Sequence, residues 1–251
     1  MAANAPVKPV QRFERKFMVL PRNIGFARVM VRQVCRPDRE YPHDRVNSLY
    51  FDSVDLDQYE RSASGEFKKD KVRIRWYGNI AGKKGEVPVY VERKMREGFA
   101  SSKQRRQLTV DASSLELANL SRGIISGTEL TDVLGGFGYF PEKPLKPVIY
   151  ITYLRHRFNE MQTGVRVSFD YDISASVVAW ELGRRDKELR LRQGVIEVKG
   201  PRLELPVTLR NMKFLDTDWS RFSKYGSCLD AHFTEPGSTA RLSPSGKNVE
   251  L

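Results

Sequence analysis

The chain has 251 residues, of which 40% are hydrophobic and 29% charged, so it has the composition of a globular protein and not of a disordered one. Its 43 Lys and Arg residues outnumber 31 Asp and Glu residues, and the net charge of +12 favours a polyanionic partner such as nucleotide, polyphosphate, nucleic acid or a phospholipid surface. Two distant cysteines and three scattered histidines argue against a disulfide framework or a zinc site, and the lack of a signal peptide or long apolar run predicts a cytoplasmic protein.

The two ends of the chain differ in composition from the region between them. Residues 1–9 and 234–251 are rich in Pro, Ser, Gly and Ala, which predicts disordered tails. No stretch between these tails has the composition of a linker. The sequence therefore predicts a single domain over residues 10–233.

Eight runs of residues alternate between polar and apolar side chains, and this period of two predicts strands with two different faces. Between them, a period close to 3.6 residues predicts helices. In chain order the elements are strand Gln11–Val19, helix Pro21–Val34, strand Arg45–Asp52, helix Leu56–Ser62, strands Lys71–Tyr77, Val87–Lys94 and Arg105–Val110, a broken helix Ser113–Leu134, strands Val148–Asn159, Val165–Tyr171 and Gly194–Lys199, and a helix near Trp219–Phe233. This order predicts an α+β fold that is mainly antiparallel β.

The polar faces of these strands repeat long cationic side chains together with single glutamates. Glu-x-Lys occurs three times and Arg-x-Arg twice, and the members of each pair share a face because side chains alternate along a strand. An ordinary antiparallel sheet with one solvated face is one explanation of each strand taken singly. The pairs are Glu14 and Lys16, Glu92 and Lys94, Glu197 and Lys199, Arg73 and Arg75, and Arg155 and Arg157.

The opposite face of each strand is strongly apolar and must be covered, which helices outside the sheet would do. The charged faces would then point inward, and such faces are tolerated only where water and counter-charges fill the space. We therefore predict a closed eight-stranded β-barrel with helices packed outside. Its cationic interior would bind a linear phosphate chain, its carboxylates would bind Mg²⁺ or Mn²⁺, and Asp170 would pair with an interior cation.

Eight segments of the chain are similar, in the same order, to segments of a known family. They are Arg12–Phe17, Val46–Asp52, Arg73–Gly78, Val91–Lys94, Tyr153–Arg155, Arg166–Asp170, Glu197–Lys199 and Arg221–Tyr225. On these segments the chain resembles the VTC domain, the catalytic domain of the vacuolar transporter chaperone complex. That domain belongs to the triphosphate tunnel metalloenzymes, also called the CYTH superfamily.

The resemblance implies an antiparallel β-tunnel that makes polyphosphate from the γ-phosphate of ATP with Mn²⁺ or Mg²⁺. It implies that the catalytic cations of the tunnel wall are Lys16, Arg73, Arg75, Lys94, Arg155 and Lys199. Further phosphate-binding residues would be Lys103, Arg105, Tyr153, Arg166, Arg221 and Lys224. The metal ligand would be Glu197, with Glu14 and Glu92 as helpers.

The chain departs from the pattern of the superfamily at its first motif. Arg12 stands where the classical triphosphatases have a glutamate, which favours the polymerase over a triphosphatase. A polymerase coupled to translocation would also need a separate membrane partner, because the sequence predicts no transmembrane helix. Two alternatives remain: a triphosphate or nucleotide hydrolase in the same site, and a non-catalytic polyphosphate-binding module. No nucleic-acid-binding motif is present, so nucleic acid is not an expected partner.

Overall fold

The computed structural model describes residues 13–98, 100–183, 188–202, 204–215 and 222–234 of the chain. Within these residues, neighbouring strands of a single sheet run antiparallel. The strands are β1 (Phe13–Val19), β2 (Cys35–Pro37), β3 (His43–Asp52), β4 (Lys68–Tyr77), β5 (Glu86–Glu97), β6 (Ala100–Asp111), β7 (Lys146–Glu160), β8 (Arg166–Val177), β9 (Leu189–Leu191) and β10 (Gly194–Gly200). The predicted tail over residues 1–9, and all of the other predicted tail after its first residue, lie outside the described residues.

α-Helices and short 3-10 turns connect the strands. The helices are α1 (Ile24–Val34), α2 (Asp57–Ala63), α3 (Gly127–Gly136) and α4 (Lys224–Thr234). Ser126 caps α3, because its hydroxyl oxygen accepts a hydrogen bond of 3.1 Å from the main-chain N–H of Glu129. Within the part of the chain that the structure describes, every helix is too short or too polar to span a lipid bilayer.

The eight predicted strands are all present, and the prediction of a mainly antiparallel α+β fold is confirmed. The short strands β2 and β9 were missed, because three residues are too few to show alternation. The helix predicted over residues 113–134 begins only at Gly127. It is preceded by two 3-10 turns, and the second of these turns, Leu120–Arg122, is followed by Gly123, where φ is 82° and no helix can continue.

Hydrogen bonds join the main strands in the order β1-β10-β8-β7-β3-β4-β5-β6, with β2 added to β7 and β9 added to β8. This sheet curls, because side chains near its two edges meet. Lys94 on β5 reaches Glu14 on β1, and the Nζ–Oε2 distance is 2.9 Å. We call the face that carries these two side chains the inner face of the sheet.

The prediction of a closed barrel is wrong. Among the described residues β1 and β6 are the two edges of the sheet, and no ladder joins them. Alternation reports which side chains share a face, but closure also requires main-chain hydrogen bonds between the two edge strands. Here the ion pair of Lys94 with Glu14 connects β5 to β1 through side chains, and β6 is left as an open edge. The sheet is therefore curled and open.

The outer face of the sheet packs beneath α1 and α3. Near α1, Phe169 and Ile196 of the sheet pack against Ala27 and Val31 of the helix. A second cluster joins α3 to β4 and β5 through Leu130, Val133, Ile74, Trp76 and Val91. These two helices lie outside the sheet, as predicted, because they cover the apolar half of each alternating strand.

α4 lies on the inner face, so the prediction that the helices pack outside is wrong for this helix. Tyr225 and Leu229 of α4 share a buried cluster with Tyr50 and Tyr153, and the latter two side chains also line the inner cavity. The rings of Tyr50 and Tyr225 stack with centroids 5.0 Å apart. Ile151 of β7 joins the same cluster, so part of the inner face is apolar and requires a helix to cover it.

Gly194 begins β10 at a point where the main chain lies close to β8. A methyl group added to Gly194 would lie 2.8 Å from Cε2 of Phe169 and 3.2 Å from the carbonyl oxygen of Asp170. We expect Gly194→Ala to lower the free energy of unfolding by about 1–3 kcal/mol, because the buried ring and the main chain would both have to shift. Denaturant titration measures this change. Gly136→Ala is the control, since its methyl group would meet nothing within 4 Å, and equal midpoints for the two variants would contradict the expectation.

Candidate active site

A cavity of about 390 Å³ lies on the inner face of the sheet and is bordered by α2 and the first turn of α4. Among the described residues, ten Lys and Arg side chains line it together with three carboxylates, so the space is strongly positive. The cations are Lys16, Lys69, Lys71, Arg73, Arg75, Lys94, Arg96, Arg155, Lys199 and Lys224, and the carboxylates are Glu14, Glu197 and Asp230.

Strand alternation places these cations on one face. On β4, Arg73 and Arg75 point into the cavity, while Ile74 and Trp76 are buried in the outer cluster. The structure brings together, from five strands, all six cations that the resemblance assigned to catalysis. They are Lys16 on β1, Arg73 and Arg75 on β4, Lys94 on β5, Arg155 on β7 and Lys199 on β10.

Glu197 on β10 is buried among cations. Its carboxylate lies 3.2 Å from Arg155 Nη2, 3.4 Å from Lys199 Nζ and 3.5 Å from Lys224 Nζ. Burial opposes ionisation of this carboxylate, but Lys224, Lys199 and Arg155 outweigh burial and hold its pKa well below the usual range. Glu197 is therefore ionised at neutral pH, and its oxygens are available as ligands for a cation.

Glu14 on β1 lies near Glu197 and shares two lysines with it. Lys16 is 3.7 Å from Glu14 and 3.8 Å from Glu197. Lys199 is 3.9 Å from the first carboxylate and 3.4 Å from the second, and Lys94 is 2.9 Å from the first. Burial and the nearby carboxylate oppose ionisation, but the three lysines outweigh them and lower the pKa of Glu14 to about 2. Both carboxylates are therefore ionised at neutral pH.

Glu92 on β5 is fully buried and enclosed by a different set of cations. It accepts hydrogen bonds from Arg73 Nη2 at 2.6 Å and from Lys103 Nζ at 3.0 Å. Arg105 and Arg75 lie 3.7 Å and 3.8 Å from it. Burial opposes its ionisation, but Arg73, Arg75 and Lys103 outweigh burial and hold the pKa of the carboxyl below its usual value. Unlike Glu14 and Glu197, Glu92 does not line the cavity, and its closest contacts are the hydrogen bonds that balance the charges of Arg73 and Lys103.

Two of the three predicted metal ligands, Glu14 and Glu197, lie close together. In the described part of the chain, no group of three or more His, Cys, Asp or Glu side chains could hold a metal ion by itself. At phosphate-binding sites, however, Mg²⁺ is usually bound by one or two carboxylates together with phosphate oxygens and water. The ionised pair fits a divalent cation of this kind, provided that phosphate is bound with it.

Asp170 on β8 fixes two of the cavity cations, and its pairing agrees with the expectation from the sequence. Arg155 Nε and Nη2 donate to its two oxygens, each at 2.6 Å, and Lys224 Nζ lies 2.5 Å from Oδ2. This bidentate contact sets the plane of the guanidinium group.

The hydroxyl of Tyr153 accepts a hydrogen bond of 3.3 Å from Arg75, and Lys224 lies 4.7 Å above the centre of the Tyr153 ring. Tyr153 and Lys224, both predicted phosphate contacts, line the cavity.

The other predicted phosphate contacts are placed differently. Lys103 and Arg105 on β6 pair with Glu92 and do not line the cavity. Arg166 on β8 is exposed and does not line the cavity either. Arg221 lies outside the described residues. Lys103 and Arg105 lie outside the cavity because the sheet is open: β6 is an edge strand and does not pair with β1.

The cavity also contains residues that sequence reasoning missed. Lys69 and Lys71 precede Arg73 on β4 at the same spacing of two and so share its face. Lys71 is the first residue of the predicted strand and lay within reach of the pattern, and extending the alternation by two residues would also have found Lys69. The hydroxyl of Tyr50 accepts a hydrogen bond of 3.1 Å from Arg73, and that of Ser223 accepts one of 2.7 Å from Lys71. The strand pattern marks neither hydroxyl as part of a site.

This arrangement offers positive charge and fixed geometry. Cations from five strands can contact successive phosphates of a linear chain, and the arginines among them can make bidentate contacts. Phosphoryl transfer requires little beyond in-line positioning and neutralisation of charge. The geometry is therefore suited to a nucleoside triphosphate, a triphosphate or a polyphosphate chain.

Comparison with known proteins gives one match over most of the chain. The sequence pattern of a family described as the VTC domain matches residues 11–233. No curated protein matches the chain as a relative.

Solved structures similar to the chain include three from different organisms. A proposed adenylate cyclase from Bacillus halodurans is 19% identical, with 85% of this chain and 94% of that one covered and a TM-score of 0.48. A proposed adenylyl cyclase from Hippeastrum, described as having a dominant triphosphatase activity, is 14% identical, with 87% and 95% covered and a TM-score of 0.47. A proposed adenylate cyclase from Vibrio parahaemolyticus is 10% identical, with 87% and 98% covered and a TM-score of 0.43.

Proposed function

Because this chain belongs to the VTC domain family, we propose that it is a metal-dependent polyphosphate polymerase. It would transfer the γ-phosphate of ATP onto the end of a growing polyphosphate chain. The observation that supports this proposal is the cavity wall, where ten cations accompany three carboxylates among the residues that the structure describes. Such an excess of positive charge is balanced when a linear polyanion is bound.

Three arginines of the wall are held in place before any substrate binds. Glu92 accepts hydrogen bonds from Arg73, and Asp170 accepts them from Arg155. Arg75 donates to the hydroxyl of Tyr153. Guanidinium groups fixed in this way lose little rotamer freedom when they bind phosphate oxygens. We assign to these arginines the orientation of the phosphate chain.

The lysines supply charge where it develops during the reaction. Lys16 and Lys199 contact both Glu14 and Glu197, and Lys94 contacts Glu14. In the proposed complex these ammonium groups would also face the phosphate oxygens, whose negative charge they stabilise as the leaving group forms.

Glu14 and Glu197 would hold Mn²⁺ or Mg²⁺ together with phosphate oxygens. A divalent cation bound there would polarise the phosphate oxygens and neutralise part of their charge. The surrounding lysines keep both carboxylates ionised, so the pair is ready to bind the cation at neutral pH. Glu92 would take no part in this binding and would hold Arg73 in position instead.

The proposed transfer is balanced without an additional proton carrier. A terminal oxygen of the polyphosphate chain attacks the γ-phosphorus of ATP, the bond from that phosphorus to the β–γ bridging oxygen breaks, and ADP leaves. The attacking oxygen is already ionised at neutral pH, so no general base is needed.

Incubation of the purified protein with ATP and Mn²⁺ tests the proposal. We expect a ladder of polyphosphate on a polyacrylamide gel, with one ADP released for each phosphate added and no product in the presence of a chelator. Release of inorganic phosphate without polymer would support a hydrolase instead. Binding of ATP or polyphosphate without turnover, by protein that is shown to be folded, would support a binding module.

A further inference from the structure

Lys71 on β4 points into the cavity with no carboxylate beside it. Its Nζ donates a hydrogen bond of 2.7 Å to the hydroxyl of Ser223 and lies 6.0 Å from the centre of the Tyr225 ring. Among the described residues, no Asp or Glu oxygen lies within 4.0 Å of this Nζ. A cation that the protein encloses in this way costs free energy unless an opposite charge is supplied.

The neighbours of Lys71 within the sheet do have carboxylate partners. Arg73, two residues further along β4, pairs with Glu92. Lys94, which lies opposite Lys71 in the register of β4 with β5, pairs with Glu14. Lys71 therefore differs from both neighbours, although all three share the inner face.

The groups around Lys71 add to its positive surroundings. The charged groups that act on it most strongly are the cations Lys16 on β1, Lys69 and Arg73 on β4, and Lys94 on β5. Arg96 on β5 also lines this part of the cavity. Ser223, just before α4, and Tyr225 of α4 are uncharged here. Lys224 of α4 is paired with Asp170 and Glu197, and Asp230 of α4 accepts a short hydrogen bond from Tyr59 of α2. Glu14 is engaged by Lys94, Lys16 and Lys199.

Ser223 has one hydrogen-bond donor left for a ligand. Its oxygen accepts from Lys71 Nζ and from the main-chain N–H of Gly226, at 2.7 Å and 3.2 Å, which places Ser223 as the cap of α4. A serine hydroxyl has two acceptor positions and one proton. Both acceptor positions are used, and no described residue accepts the hydroxyl proton, so this proton can be donated to an oxygen in the cavity.

We infer that Lys71 and the hydroxyl of Ser223 bind one phosphate group of the substrate at the α4 end of the cavity. This inference rests on the proposed function, because it concerns the same cavity and the same class of ligand. Lys71 supplies the positive charge and Ser223 the hydrogen-bond donor. The bound phosphate supplies the negative charge that the free protein lacks at this position.

The protonation of Lys71 is coupled to this binding. Its enclosed position, followed by repulsion from Lys16 and Lys94, lowers the pKa of Lys71 to about 7. A bound phosphate favours the ammonium form and moves this pKa back toward that of an ordinary lysine. Binding at about pH 8 therefore takes up protons. The affinity contributed by Lys71 is full below about pH 7 and falls as the pH rises above that value.

Calorimetric titration with tripolyphosphate, in the absence of metal, tests the inference. We expect Lys71→Met to bind tripolyphosphate roughly tenfold more weakly than the wild type near pH 7. At about pH 8 it should take up fewer protons, as measured in two buffers of different ionisation enthalpy. Lys71→Arg should keep the affinity and take up fewer protons than the wild type, because a guanidinium group stays charged. Parallel titrations with ATP show whether the phosphate belongs to a nucleotide or to an inorganic chain.

Lys68→Met is the matched control, because Lys68 lies on the same strand with 77% of its side chain exposed and pairs only at the surface, with Glu97. It should bind tripolyphosphate as the wild type does. Without ligand, Lys71→Met should raise Tm by about 2–4 °C, since it removes a cation that its neighbours repel, whereas a folding defect would lower Tm.

Equal affinity and equal proton uptake in the wild type and in Lys71→Met would overturn the inference, and so would an equal loss of affinity in Lys68→Met. These measurements concern binding alone, so their outcome is separate from that of the polymer assay. If the protein binds tripolyphosphate as described but forms no polymer, the phosphate site is supported and the proposed polymerase activity is not.

Discussion

Glu197→Gln is expected to lower the kcat of polyphosphate synthesis roughly 1,000-fold, because it removes one of the two charges of the proposed metal site. Glutamine keeps the size of the side chain, but its neutral amide is a weak ligand for Mg²⁺ or Mn²⁺. The loss should be measured as ADP release and as polymer on a gel, over a range of Mn²⁺ concentrations. Glutamine is preferred to alanine here, since Glu197 is buried among cations and a cavity at this position would add a packing defect.

The same variant separates the chemical step from phosphate binding. Glu197→Gln leaves every cation of the wall in place and makes the cavity more positive. Without metal, its affinity for tripolyphosphate should therefore be equal to that of the wild type or higher. Glu97→Gln, at the exposed end of β5, is the control and should change neither quantity. Wild-type turnover by Glu197→Gln would exclude this residue from metal binding.

Glu92→Ala is expected to have the largest effect on stability of the changes considered, lowering the free energy of unfolding by about 3–5 kcal/mol. The carboxylate is fully buried and balances the positive charges of Arg73, Arg75, Lys103 and Arg105. In the variant these four cations would have lost that negative charge. For a domain of this size the loss corresponds to a fall in Tm of about 6–20 °C. Scanning calorimetry would measure it.

The pH dependence of this effect has a defined sign. The pKa of Glu92 is held below its ordinary value of 4.5, so its contribution to stability is present above that value and is lost as the pH falls below it. The difference between wild type and Glu92→Ala should therefore be full at neutral pH and shrink in acid. Glu86→Ala, at the exposed start of the same strand, is the control. A neutral-pH Tm equal to that of the wild type would show that Glu92 does not stabilise the arginine cluster.

Local alternation was enough to find the strands and to divide their side chains between two faces. In β4, for example, Ile74 and Trp76 are buried in the outer cluster, and Arg73 and Arg75 line the cavity. This success has a simple cause. The direction in which a side chain leaves a strand depends on the backbone of that strand alone, so it can be read from a few successive residues.

Closure of the sheet could not be read in the same way. Whether β6 pairs with β1 depends on the curvature summed over all the intervening strands and on what occupies the space inside. Here α4 lies on the inner face, and Lys94 reaches Glu14 through side chains while the two edges stay unpaired. The period of the sequence predicted that this helix forms, but neither its position on the inner face nor the contact of Lys94 with Glu14 leaves a periodic signal.

The three glutamates also show which properties can be predicted from the local sequence and which depend on the tertiary structure. Glu14, Glu92 and Glu197 occur in equivalent Glu-x-Lys pairs, and from the sequence alone they were all candidates to bind metal. In the fold, β1 and β10 are neighbours, which brings two of them to the same lysines, whereas β5 places Glu92 among arginines. The charge of each residue and the face it occupies are local properties. Its neighbours across the sheet come from strand order, which depends on many weak contacts between residues far apart in the chain.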